Sequence, residues 1–96
     1  MAEQKFILIV YDISNDKRRT KLHNLLLDFG TPVQYSVFEC LLKPEAVIQL
    51  KSAVYRVIRK RIDSVRFYDL CADCVSRTEI TCGREVFGPP PKTILV

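Results

Sequence analysis

Phe6-Ile7-Leu8-Ile9-Val10-Tyr11 is an unbroken apolar run that follows a polar start and stops at Asp12. It is β-branched and aromatic without alternation, the pattern of a central strand buried on both faces. Asp12-Ile13-Ser14-Asn15-Asp16 ends it with turn and cap residues, so a helix is expected next, with Ser14 or Asn15 as its N-cap. Leu22, Leu25, Leu26 and Phe29 then recur at i, i+3, i+4 and i+7, the apolar stripe of an amphipathic helix. Gly30 stands where a C-terminal cap belongs, and Pro32 forbids continuation.

Val33, Tyr35 and Val37 alternate with Gln34, Ser36 and Phe38, so Val33 to Leu42 reads as a second strand. Pro44 suits the first turn of a second helix, whose stripe is Val47, Leu50, Val54, Val57 and Ile58. Val65 to Leu70 reads as a third strand and Thr78 to Cys82 as a fourth, stopped by Gly83. The plain order is strand, helix, strand, helix, strand, strand. If Val33–Leu42 bends back on itself, the order becomes βαββαβ. Either way the expectation is an α+β protein, a ferredoxin-like sandwich with two helices on one face of one sheet.

A chain of 96 residues makes one core, and 48% hydrophobic against 27% charged residues excludes a disordered or collagenous chain. The apolar run is too short for a membrane span of ~20 residues or a signal sequence's ~7–15. A cytoplasmic, reduced protein without a membrane partner is therefore expected. The net charge of +4 is compatible with a polyanionic partner but identifies none.

Residues 1–83 are assigned to the ferredoxin-like domain, and 84–96 to a spacer with a docking strand. Gly88-Pro89-Pro90-Pro91 is an extended, polyproline-like segment, and Thr93-Ile94-Leu95-Val96 favours a strand. An apolar tail gains by adding to a sheet edge, here expected to be that of a second copy of the chain.

Asp12 is the sharpest chemical candidate, because a strand-end carboxylate reaches a solvent-facing crevice; the competing reading is a turn or cap aspartate. A two-fold axis near the first strand would bring two copies of Asp12 together. Two carboxylates repel, and a divalent cation relieves that repulsion while activating a water for phosphodiester attack. Arg18 falls on the line of Leu22, Leu25 and Phe29 and is placed to pair with Asp12 or hold a phosphate. Lys17, Arg19 and Lys21 flank it. Cations in a first helical turn oppose the helix dipole by ~0.3–1 kcal/mol each, so nucleic-acid phosphates explain the cluster better than helix stability does; a solvated charge run is the alternative.

Arg56, Arg59, Lys60 and Arg61 end a helix, where positive charge is favourable anyway, and His23 projects from the stripe and reads as surface. Cys71-x-x-Cys74 with Cys40 and Cys82 invites a zinc reading, but a structural site usually has two close pairs; reduced thiols are the default. An RNA-recognition module needs glycine-spaced aromatics for base stacking, which Val65-Arg66-Phe67-Tyr68-Asp69 lacks.

Val10-Tyr11-Asp12-Ile13, Asp16-x-Arg18-Arg19-x-Lys21 and Gly30-x-x-Val33-Gln34-x-Ser36-Val37-Phe38-Glu39, followed by Val65-Arg66-Phe67-Tyr68 and Leu70-Cys71-x-x-Cys74, resemble the CRISPR-associated protein two family. The resemblance runs through Gly83. It implies a βαββαβ ferredoxin-like fold and a homodimer in which the C-terminal strand pairs with the partner chain. It further implies a role in acquiring spacers from foreign DNA, with the dimer bridging two dimers of the integrase, CRISPR-associated protein one. Some members are Mg²⁺-dependent endonucleases (Mn²⁺ is an option) on single-stranded RNA or double-stranded DNA. The resemblance then makes Asp12 the metal ligand, with Tyr11, Arg18, Arg19 and Phe38 in or supporting the catalytic site. A non-catalytic, DNA-binding scaffold and a stand-alone ribonuclease toxin of the same fold are the alternatives.

Overall fold

The structure, a computed structural model, describes residues 4–79. Their elements are β1 (Lys5–Asp12), α1 (Asp16–Leu26), β2 (Thr31–Gln34), β3 (Val37–Leu42), α2 (Pro44–Val57), β4 (Ser64–Leu70) and α3 (Ala72–Ser76). The four strands form one antiparallel sheet in the order β2-β3-β1-β4. With α1 and α2 packed on one face, this is the expected α+β, ferredoxin-like βαββαβ arrangement. The spacer, the docking strand, Cys82 and the 83/84 boundary lie outside the described residues.

The core follows from strand alternation. Ile7, Ile9 and Tyr11 point to the helices and are buried with Leu22 and Leu26 of α1, Val47, Leu50 and Val54 of α2, and Phe38 and Cys40 of β3. The other face of β1 carries Phe6, Leu8, Val10 and Asp12. Phe6 is buried against Val75 of α3, but Leu8 and Val10 are half-buried and Asp12 is exposed. The expectation of a strand buried on both faces is thus met on the helix side, and on the other face at Phe6 alone.

Other expectations change as well. Val33–Leu42 is two strands, because Tyr35 and Ser36 make a tight turn in which Ser36 takes φ 68°. Alternation read through that turn put Phe38 with the polar set; restarted after it, Phe38 faces the core and is fully buried. Gly30 is not a left-handed cap: α1 ends at Leu26, with Leu27 in right-handed helical geometry. A Cβ at Gly30 would instead stand 2.5 Å from Cys40 Sγ and closer still to the Glu39 carbonyl oxygen, so glycine is needed for β3 to pass. Of the fourth expected strand, Thr78 and Glu79 belong to no regular element, and the remainder lies outside the described residues.

The helices start as their sequences dictate. Asn15, rather than Ser14, caps α1, its Oδ1 accepting from Arg18 N–H at 2.9 Å. Pro44 occupies the first turn of α2. The N-terminus of α1 is tied to the rest of the molecule by Arg18, whose partner is Asp63 and not Asp12. Arg18 Nε and Nη2 donate to the two Asp63 carboxylate oxygens at 2.7 and 3.0 Å. Asp63 also accepts the Arg59 backbone N–H at 2.8 Å, and its side chain is fully buried. One carboxylate therefore folds the α2–β4 loop and clamps it to α1.

The Arg18 side-chain hydrogen bonds hold the Asp63 carboxyl below the ordinary carboxylate range, the Arg59 amide adds to the effect, and burial opposes both. A carboxylate with a depressed folded pKa stabilises the fold above its unfolded value of about 3.9 and loses that contribution as pH falls through the folded value. Wild type should therefore lose melting temperature on acidification below about pH 4, and Asp63→Asn should melt lower at pH 7 with a flatter acid limb in thermal scans. Gly30→Ala should cost about 1–3 kcal/mol in urea unfolding, the scale of overpacking against backbone.

Candidate nucleic-acid and metal site

Asp12 ends β1 opposite Ser64 of β4 and projects from the sheet face away from α1 and α2. The rows preceding it on that face are Val10 with Val37 and Arg66, then Leu8 with Glu39 and Tyr68. Successive strand residues point to opposite faces, so Tyr11 is on the other side of the sheet from its neighbour Asp12. Phe38 is on the Tyr11 side and fully buried; it can support a site but cannot touch a substrate. Asp12, Tyr11, Arg18 and Phe38 are thus brought to one end of the sheet, but not into one cleft of a single chain.

On the helix side, Tyr11, Arg19, Thr20, His23, Gln34, Tyr35 and Ser36 line a hollow of about 330 Å³. His23 is half-buried, its ring edge-on to Phe38 at 5.2 Å, which corrects its reading as a surface residue. Tyr35 is 85% exposed on the lip. Burial raises the Tyr11 pKa, Tyr35 raises it further and Arg19 pulls it back. Tyr11 is therefore a protonated phenol at neutral pH, a donor rather than a base.

The four cations of α1 divide by what holds them. Arg18 is engaged by Asp63. Arg19 folds back to donate to the Ile13 carbonyl at 2.8 Å and to Asp16, whose hydrogen bond raises its pKa. Lys17 and Lys21 are exposed and line a shallow groove with Asp16, Thr20 and Asn24. The phosphate-binding capacity read from the whole cluster thus rests on these two lysines, because Arg18 and Arg19 are taken up inside the chain.

Asp12 offers an exposed carboxylate of the kind that suits a hard cation, and Mg²⁺ needs one or two such groups with water completing its shell. Among the described residues no group of three or more His, Cys, Asp or Glu side chains stands close enough to hold a metal. A single chain supplies one carboxylate, and a two-carboxylate site would need a second copy. Glu39 is half-buried beside Leu8; its Oε1 has no hydrogen-bond partner among the described residues, and burial raises its pKa. Burial and the neighbouring Glu39 push the Cys40 thiol up to about 12, which makes it inert.

Sequence spacing carries no signal for Asp63 or for the hollow beside His23 and Tyr35. Asp63 is 45 positions from Arg18, and no spacing rule links such residues. The turn at Tyr35-Ser36 lacks the glycine or asparagine that usually announces a positive φ.

Residues 5–78 match the family model described as CRISPR associated protein Cas2. A CRISPR-associated endoribonuclease Cas2 of Chloroflexus aurantiacus is 45% identical over 89 residues, covering 92% of this chain and 91% of that protein. A second, from Synechocystis, is 36% identical over 89 residues, covering 93% and 96%. Among solved structures, Streptococcus pyogenes Cas2 superposes with a TM-score of 0.70 at 32% identity, covering 79% of this chain and 98% of that one. A chain of a partial Cas6-RT-Cas1–Cas2 complex gives 0.73 at 33% identity, covering 91% and 94%. With the family model matching residues 5–78 and these relatives similar over most of their length, the chain belongs to the CRISPR associated protein Cas2 family.

Proposed function

We propose that the protein works in CRISPR adaptation as a homodimeric, metal-dependent endonuclease on single-stranded RNA or double-stranded DNA, in company with the integrase, CRISPR-associated protein one. One observation carries the reading: Asp12 is exposed at the end of a sheet face on which Leu8, Val10, Val37 and Leu41 are apolar and only half covered, beside Glu39, Arg66 and Tyr68. A sheet face of this composition is stabilised by packing on a second sheet. A two-fold axis through it makes Asp12 of each copy line a common cleft. The endoribonuclease names of the relatives and the Cas1–Cas2 assembly containing a similar chain support the assignment.

The chain's own groups divide the work. The paired Asp12 carboxylates hold a divalent cation that relieves their repulsion, and Lys17 and Lys21 attract the phosphate backbone. A bound Mg²⁺ or Mn²⁺ supplies a charge for the phosphodiester and a more acidic water. Arg18, through Asp63, fixes the loop entering β4 and so the Ser64 end opposite Asp12. Tyr11 and Phe38 pack the opposite side of the same strand end and position it.

The placement of Tyr11 and Phe38 away from Asp12 favours a second reading, a non-catalytic dimer that bridges two integrase dimers and holds DNA. It rests on the exposed Lys17 and Lys21, not on the carboxylate.

Purified protein should cut RNA or DNA with Mg²⁺ and stop with a chelator, and Asp12→Ala should lower the rate by about a hundredfold or more, the scale of removing a charge-stabilising group. Cleavage that persists in Asp12→Ala would end the nuclease reading. Leu8→Asp should give monomers in sedimentation and abolish cleavage with them. On the bridging reading, Asp12→Ala leaves spacer integration intact while Lys17→Glu with Lys21→Glu impairs it; integration lost in Asp12→Ala alone would count against the bridge.

A further inference from the structure

The far end of the sheet carries a different chemistry. Leu70 pairs with Phe6 and Ser64 with Asp12, so Cys71 and Asp12 are separated by the length of β1 from Phe6 to Asp12, about 20 Å at the strand rise. Cys71 Sγ and Cys74 Sγ stand 3.1 Å apart, and both residues are exposed. Cys71 Sγ also accepts the Cys74 backbone N–H at 3.3 Å, which caps α3. No His or third Cys joins them to complete a metal-binding group among the described residues. Hydrogen bonding with the Cys74 thiol, and then with its amide, holds the Cys71 thiol below the ordinary range. Cys40, buried and pushed up to about 12, shows the opposite environment in the same chain.

We infer that Cys71 and Cys74 form a thiol–disulfide exchange site, a dithiol that closes to an intrachain disulfide on meeting a small-molecule disulfide such as oxidised glutathione and reopens with reduced glutathione. The Cys71 thiolate attacks one glutathione sulfur, forming a mixed disulfide and breaking the glutathione S–S bond. The first glutathione leaves as a thiolate and takes up the proton that Cys71 released. The Cys74 thiolate then attacks the Cys71 sulfur, and the second glutathione leaves with the proton from Cys74. Two cysteine thiols are oxidised and one glutathione disulfide is reduced. The two sulfurs need approach by only about 1 Å more for the bond to form.

Closure places a covalent ring at the junction between β4 and α3, the short helix that seats Val75 on Phe6 with Val33, Leu41 and Leu70 around it. The site draws on neither Asp12 nor the lysines of α1, so it does not depend on the proposed nuclease.

The full chain, reduced and then exposed to glutathione disulfide without air, can be quenched with iodoacetamide and digested with trypsin. The peptide Phe67–Arg77 contains Cys71 and Cys74 and excludes Cys40 and Cys82. It should become two hydrogens lighter with both alkylation sites lost, and reduced glutathione should restore both. In Cys74→Ser the same peptide should retain one glutathione on Cys71, and in Cys71→Ser it should take up glutathione more slowly. A wild-type peptide that stays doubly alkylated, or that collects a glutathione on each cysteine without closing, overturns the inference. Equal uptake by the two variants overturns the assigned order of attack.

Discussion

Arg18 and Asp63 form the contact on which the geometry of the candidate site depends. The guanidinium fork meets both carboxylate oxygens, and the same carboxylate holds the Arg59 amide, so α1, the α2–β4 loop and the start of β4 are fixed by one buried group. Removing either partner would strand a charge away from water, which costs far more than an exposed ion pair gains. Ser64 follows Asp63 directly and pairs with Asp12. The strand end that presents the carboxylate is thereby set by an ion pair on the other side of the sheet.

The two faces of the sheet have different fates. The helix-facing side closes on itself with Ile7, Ile9, Tyr11 and Phe38, and needs nothing further. The opposite side leaves Leu8, Val10 and Val37 half-covered beside Glu39, whose Oε1 has no hydrogen-bond partner among the described residues. Half-covered apolar side chains are favourable on a face that another surface covers and unfavourable on one that water meets. The proposed dimer follows from that imbalance, and with it the pairing of two Asp12 side chains.

Much was legible in the chain because it is local. The continuous Phe6–Tyr11 run made β1 the centre of the sheet, Asn15 announced α1 and Pro44 announced α2. The motif around Asp12 pointed to the family. Misreadings arose where a local rule met a long-range one: Gly30 looks like a cap but makes room for Glu39 and Cys40, and His23 looks solvent-facing but leans on Phe38.

Hydrophobic periodicity and turn chemistry act over a few residues, so the sequence by itself determined the element order, the central strand, the helix starts and the exposed carboxylate at a strand end. Which cation meets which anion depends on chain segments far apart in sequence but brought together in space. Only the tertiary structure therefore gave Arg18 to Asp63, folded Arg19 back on its own loop, and left Lys17 and Lys21 without such ties among the described residues.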